Sequence, residues 1–246
     1  MAQPKTRPKP AQLEMVYKTR PVRGGARKGA GRKATYPRPQ PHRARPALAS
    51  RFPVHVTLRV DDSLPDLRGG EVYREIEACL RSGKQRDDFR LVHYSMLTHH
   101  LHLVAEATNA KALTNGIRGL SVRIARRLNR LVGRRGRVFS DRYFSRILRT
   151  PRETQAAIRY VLLNVRRHAL QHGRQLMDGW LDDCSSGRFF DGWSQPPPRP
   201  PPEDLPSVAK PVTWLLASGW RRWGLLHIND VPRAVSAAAS SVRGRS

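Results

Sequence analysis

Val54, Val56, Leu58 and Val60 alternate with His55, Thr57 and Arg59, and this period of two predicts a half-buried strand after Pro53. Asp61 to Gly70 is a polar connection. Glu71 to Arg81 reads as a helix, with Val72, Ile76, Cys79 and Leu80 along one side. Phe89 to Leu97 and His100 to Ala105 are two further strand-like runs. Only Thr98 and His99 separate them, which predicts an antiparallel hairpin. The strongest helical pattern spans Lys111 to Val132, where Leu113, Ile117, Leu120, Ile124, Leu128 and Leu131 follow at spacings of 4, 3, 4, 4 and 3. Gly133-Arg134-Arg135-Gly136 stops it. A fourth strand is expected near Tyr143 to Leu148. Thr150-Pro151 then supplies an N-cap with proline at the first helical position, and Glu153 completes a capping-box pattern. The helix that follows runs to about Gln171 and ends at Gly173.

The first six of these elements match a ferredoxin-like α+β sandwich, an antiparallel four-stranded sheet with two helices on one face. The seventh, an extra C-terminal helix carrying Tyr160, must pack at an edge or on the opposite face. Beyond residue 175 the pattern fades. Gln195 to Pro202 holds six prolines in eight positions and reads as an extended linker. Val212 to Leu226 is an apolar, aromatic-rich patch. Two readings of it stand: packing back onto the core, or contacting nucleic acid through Trp220 and Trp223.

Charge changes the picture most. The 246 residues contain 46 Lys+Arg against 19 Asp+Glu, a formal net charge of +27. Such a chain seeks a polyanion, and counterion release drives sequence-independent binding to nucleic acid. Residues 1–50 alone hold thirteen Lys/Arg and a single acid, Glu14. There the charges alternate with glycine, and too little apolar area is available to offset ordering entropy. This is the pattern of a disordered basic arm. Arg27, Lys28, Arg32 and Lys33 are its candidate DNA contacts, with a solubilising tail as the other reading. On the long helix Arg118, Arg123, Arg126, Arg127 and Arg130 occupy much of the circumference outside the apolar stripe and are candidate DNA-binding residues. Cys79 and Cys184 form no C-x-x-C pair, which fits a reducing, cytoplasmic compartment. No apolar run approaches the roughly 20 residues of a membrane span.

Two features carry chemistry. In His100-Leu101-His102 a strand points both imidazoles to one face, and two neutral imidazoles at i and i+2 can chelate one divalent cation. On the last helix Ile158, Val161, Leu162, Val165 and Ala169 form one apolar stripe. Tyr160 and Asn164 lie one turn apart on the opposite side. A tyrosine placed there serves either a site or an amphipathic surface.

Together these residues resemble the single-tyrosine transposases of the His-hydrophobe-His class, and most of all the REP-associated tyrosine transposases. The likeness runs through P-V-H-V-T-L-R-V at Pro53 to Val60 and H-Y-S-M-L-T-H-H-L-H-L-V at His93 to Val104. It continues in G-R-V-F-S-D-R-Y at Gly136 to Tyr143 and Y-V-L-L-N at Tyr160 to Asn164, about half the chain in all. The resemblance implies that His100, His102 and the amide of Asn164 hold Mg²⁺ or Mn²⁺. It implies that Tyr160 attacks a phosphodiester of single-stranded, hairpin-bearing DNA, giving a 5′-phosphotyrosine and a free 3′-hydroxyl. The expected division is then a basic arm (1–50), a transposase-like catalytic domain (51–175) and a Pro-rich linker with an aromatic appendage (176–246). Association with the nucleoid follows from DNA binding, and a homodimer is among the states such a family adopts. The competing reading is a non-catalytic, domesticated DNA-binding and regulatory protein. A third is a metal-dependent hydrolase that uses water and forms no covalent adduct.

Overall fold

Strand β1 (Val54–Arg59) lies inside the sheet, and its alternation assigns side chains to the sheet's two faces. The structure, a computed structural model, describes residues 46–198, 200–201 and 204–232. After β1 come α1 (Gly70–Gly83), a two-residue β2 (Gln85–Arg86), β3 (Phe89–Met96) and β4 (His100–Ala107). They are followed by α2 (Ala110–Leu131), β5 (Phe144–Ile147) and α3 (Pro151–Gln171). The sheet is antiparallel in the order β2-β3-β4-β1-β5.

Five strands stand where the pattern predicts four. The additional β2 pairs Gln85 with Arg90 and Arg86 with Phe89 at the sheet edge. Both of its residues are polar and exposed, so no apolar alternation announces it. A second departure is a bulge between Leu91 and His93. It turns both Val92 and His93 toward α3: Val92 joins the cluster around α3, and the His93 ring meets Phe190 edge-on at 5.3 Å.

One face of the sheet presents Val54, Val56, Leu58, Leu101, Leu103 and Ala105 to α1 and α2, and this is the larger core. Gly116 lets α2 come down on β3, because a Cβ there would run into the Phe89 ring. Asn109 Oδ1 caps α2 by accepting from the Ala112 N–H at 2.9 Å. Gly133, at φ 63°, ends the helix in the left-handed region.

The opposite face carries α3, which begins as its cap predicts. Thr150 Oγ1 accepts from the Glu153 N–H at 3.1 Å. The Glu153 carboxylate reaches back one residue further than in a capping box, accepting from the Arg149 N–H at 2.8 Å. A second layer covers the outside of α3. It includes a 3₁₀ turn at Ser186–Phe189, a four-residue α4 (Trp214–Ala217) and a 3₁₀ turn at Gly219–Trp223. Phe190, Trp193, Leu216, Trp220, Leu226 and Ile228 pack there with Ile158, Val161 and Leu162.

The segment after residue 175 is also fastened by polar ties, most of them between groups far apart in sequence. Arg68 donates twice to Asp182, at 2.8 and 3.0 Å. Arg188 reaches Glu77 at 2.7 Å, and the Tyr94 hydroxyl lies 2.9 Å from Ser207 Oγ. The Glu106 carboxylate, only 3% exposed, accepts from the Val212 and Thr213 N–H groups and the Thr213 hydroxyl. Arg166 donates to the carbonyls of Met177 and Trp180, both at 2.9 Å. Of the two tryptophans, Trp220 is 1% exposed and Trp223 is 56% exposed. No helix among the described residues is long and apolar enough to cross a membrane.

Candidate active site

The polar half of the β1 and β4 alternation builds the site. Register pairs Thr57 with His102 and Arg59 with His100. Residues at i and i+2 of a strand share a face, so His55, Thr57 and Arg59 line up beside His100 and His102 on the side of α3. His102 is buried, and its Nδ1 lies 3.1 Å from the Thr57 hydroxyl, which holds the ring in place. The His100 and His102 rings are nearly parallel, at 9° and 6.4 Å between centroids. His55 stacks on the other side of His102 at 5.5 Å.

Helix α3 brings Tyr160 onto this row of imidazoles. Its ring meets His102 edge-on at 5.2 Å and His55 at 5.7 Å. The Arg167 guanidinium lies 5.7 Å from the Tyr160 ring centroid. Asn164, one turn further along, is fully buried. The side of α3 opposite its apolar stripe is therefore not a solvent side. The helix lies between the sheet and the C-terminal layer, so it is buried on both.

Neither Asn164 Oδ1 nor Asn164 Nδ2 has a hydrogen-bond partner. A buried amide with both ends unmatched is rare and costs free energy unless something absent from the fold satisfies it. The imidazoles that Tyr160 packs against, and His100 next to them, are held neutral. Burial, helped by His55, His100 and His168, pushes His102 down to about 3. Burial and then Arg146 push His55 down to about 4. His100 is lowered by burial and then by Arg59. Neutral ring nitrogens and an amide oxygen are the donors that a borderline-hard divalent cation takes. The residues present thus fit such an ion. Among the described residues no group of three or more His, Cys, Asp or Glu side chains is arranged to hold a metal, so a metal here would rest on the His pair and Asn164.

The arginines of α2 are not brought to this site. Arg118, Arg123, Arg126, Arg127 and Arg130 are exposed on the layer that covers the other face of the sheet. Four of them line a groove of about 300 Å³ between α1 and α2, together with Cys79 and Ser82. Arg127 pairs there with Glu75 at 3.1 Å. Arg27, Lys28, Arg32 and Lys33 lie outside the described residues, as does nearly all of the basic arm. The cations near Tyr160 and the histidines are Arg59, paired with Asp62, Arg146, paired with Glu153, and Arg167 over the Tyr160 ring. None of these stands out in the sequence. The available signal is the polar half of β1, since a strand with one buried face commits His55, Thr57 and Arg59 jointly to the other.

No family model and no curated protein matches the sequence. Among solved structures, the fold is similar to a REP-associated tyrosine transposase bound to a REP hairpin. The identity is 12% over 60% of this chain and 82% of that one, with a TM-score of 0.45. It is also similar to a candidate transposase from Deinococcus radiodurans R1, at 16% identity over 56% of this chain and 98% of that one, with a TM-score of 0.34. Both overlaps are partial, and the functional reading rests on the site itself.

Proposed function

We propose that this protein cleaves and rejoins DNA strands as a metal-dependent tyrosine strand transferase of the transposase type, acting on single-stranded, hairpin-bearing DNA. The observation that carries the proposal is the unsatisfied amide of Asn164, fully buried one helical turn from Tyr160, whose own ring packs on His102 and His55. A structural asparagine would have partners; one reserved for a ligand would not.

His100, His102 and Asn164 hold the ion, Mg²⁺ or Mn²⁺. When bound, it supplies positive charge that makes a phosphodiester more electrophilic and offsets the charge gathering on its oxygens. Thr57 fixes the His102 ring, and packing of α3 against the sheet fixes the Tyr160 ring over it. The phenolic oxygen attacks phosphorus as the P–O3′ bond breaks. The phenol's proton leaves to solvent, and the departing 3′ oxygen becomes a hydroxyl by taking one up. The product is a 5′-phosphotyrosine, whose bond energy is retained, so a 3′-hydroxyl can reverse the step on another end. Arg59, Arg146 and Arg167 supply the cationic surroundings that a phosphate chain seeks.

A second reading, a non-catalytic DNA-binding and regulatory protein, draws support from the arginines of α2, which form a cationic surface away from the Tyr160 cluster. One experiment separates the two. The full chain is incubated with a labelled hairpin-bearing single strand and Mg²⁺ or Mn²⁺, then run on a denaturing gel. A protease-sensitive adduct supports cleavage; binding with no adduct under any metal condition sinks it.

A further inference from the structure

A cleft opens where β5 meets the first turns of α3, on the His55 side of Tyr160. Its volume is about 210 Å³, room for one flat heterocycle but not for a stacked run. Leu148, Ala156 and Ala157 give it apolar walls, and Arg146 and Arg152 stand in its lining. His55 is the wall it shares with the site, since the same ring stacks on His102 and meets Tyr160 edge-on. At the rim, the Arg152 guanidinium lies 5.4 Å from the Trp223 ring centroid. Arg152 has no acidic partner among the described residues. Trp223 is more than half exposed, yet its backbone is pinned. Gln155 Nε2 donates to the Trp223 and Gly224 carbonyls, both at 2.8 Å. An exposed indole on a fixed backbone, beside a guanidinium and an apolar slot, is the combination that holds unpaired bases.

We propose that this cleft receives one unstacked nucleotide of the bound strand, its base against Leu148, Ala156 and Ala157, its phosphate at Arg152, and the next base on Trp223. The inference deepens the DNA-strand reading above and rests on it. A bare phosphate is a poorer occupant, because the Glu153 carboxylate is also in the lining, paired with Arg146 at 3.3 Å. That carboxylate repels an anion but leaves an apolar base unaffected. Because the His55 ring both lines the cleft and meets Tyr160, the nucleotide held here is one adjoining the phosphate that Tyr160 attacks.

The test fills the slot from an exposed position. Ala156 is exposed on α3 and leucine is a good helix former, so Ala156→Leu keeps the helix while occupying the cleft. Full-length protein and variant are titrated with a deoxynucleoside 5′-monophosphate, followed by NMR. Both are then assayed for adduct on oligonucleotides carrying one abasic position at successive sites around the cleaved bond. The expected result is that the variant binds the mononucleotide about tenfold more weakly, the order expected for removing one stacked base. In the unaltered chain, a single abasic position next to the cleaved bond should slow adduct formation by about as much, and in the variant it should add no further loss. Equal mononucleotide affinity in both proteins overturns the pocket even if adducts form. Mononucleotide binding that is lost in the variant, with no adduct from the unaltered chain on any substrate, supports the pocket and sinks the cleavage reading alone.

Discussion

At Asn164 the needs of folding and of chemistry diverge, because a buried amide with no partner weighs against the folded state. Replacing it with leucine, which has the same branched heavy-atom skeleton and no polar atoms, removes that penalty. Asn164→Leu is therefore expected to stabilise the metal-free protein by about 1–3 kcal/mol, read as a higher Tm in chelator, and to abolish the rise in Tm that Mn²⁺ gives the parent. A variant that is destabilised and still responds to Mn²⁺ shows that the amide is satisfied by something other than an ion. Tyr160→Phe tests the other end of the same turn. The ring and its packing on His55 and His102 remain, so folding, metal response and DNA affinity should match the parent while the denaturing-gel adduct disappears. An adduct that persists in Tyr160→Phe moves the nucleophile elsewhere, and Tyr143 is the next to test. That the two share a face could be read from spacing alone, because a helix places i and i+4 together whatever surrounds them; what they do there came only from the resemblance. His55 could not. Its role depends on which strand lies beside β4, and register between strands more than 40 residues apart leaves no mark in either segment.

The elements themselves were legible in proportion to their apolar repeat. Helices α2 and α3 and strand β1 announce themselves because burial of one face imposes a period. Strand β2 has two exposed polar residues and the bulge at Val92 breaks the period, so neither is visible before the sheet is assembled. Which side of the sheet an element covers is equally hidden, and α2 shows what this costs a functional reading. Its arginines read as DNA contacts in the sequence, and they stand on the other side of the sheet from Tyr160. They are available for phosphates at a distance from the chemistry. Arg123→Gln, Arg126→Gln and Arg130→Gln combined, leaving the Glu75-paired Arg127 intact, should lower DNA affinity and flatten the dependence of log K on log salt. The slope should change by about 0.7 for each phosphate of a single strand that the variant no longer neutralises. The rate of adduct formation at saturating DNA should stay that of the parent. An unchanged slope shows that this face does not meet DNA, and a lower saturated rate shows that it acts in the site after all.

On the scale of the whole molecule, α3 has buried neighbours on both sides, and three imidazoles are enclosed with it. Burial holds His93 down at about 3, as it does His102, with His55 at about 4. In the unfolded chain each returns to about 6.5. Below that value the unfolded chain binds protons that the folded one refuses, so the stability these groups confer is complete above pH 6.5. It drains away as the pH falls through 4 toward 3. The Tm in chelator should therefore fall steeply between pH 6.5 and 4. His93 touches Phe190 and lies outside the Tyr160 cluster, so His93→Leu should shrink that fall without affecting adduct formation at pH 7. A pH profile identical to the parent's shows that His93 is solvated enough to titrate normally. The polar ties that hold the C-terminal layer, such as Glu106 to Thr213 and Arg68 to Asp182, had no sequence signature at all. These two join residues more than a hundred positions apart, and a lone buried charge reads like any surface charge until its partner is known.

The alternation along β4 has a consequence for how such a chain can change length. His100 and His102 face α3 because Leu101 and Leu103 face the α1 and α2 core, so chemistry and core are interleaved in one strand at odd and even positions. Substitutions act on one of these two sets at a time. An insertion or deletion acts on both. One residue added between Leu101 and His102 parts the imidazoles by an odd step, driving one of them among leucines while an apolar side chain takes its place beside Tyr160. The outcome is a chain that fails to fold, not one that folds without activity. Two residues added together restore the faces and merely lengthen the strand. Within the strands around this site, drift in length is thus tolerated in pairs or not at all, and odd changes are confined to the connections.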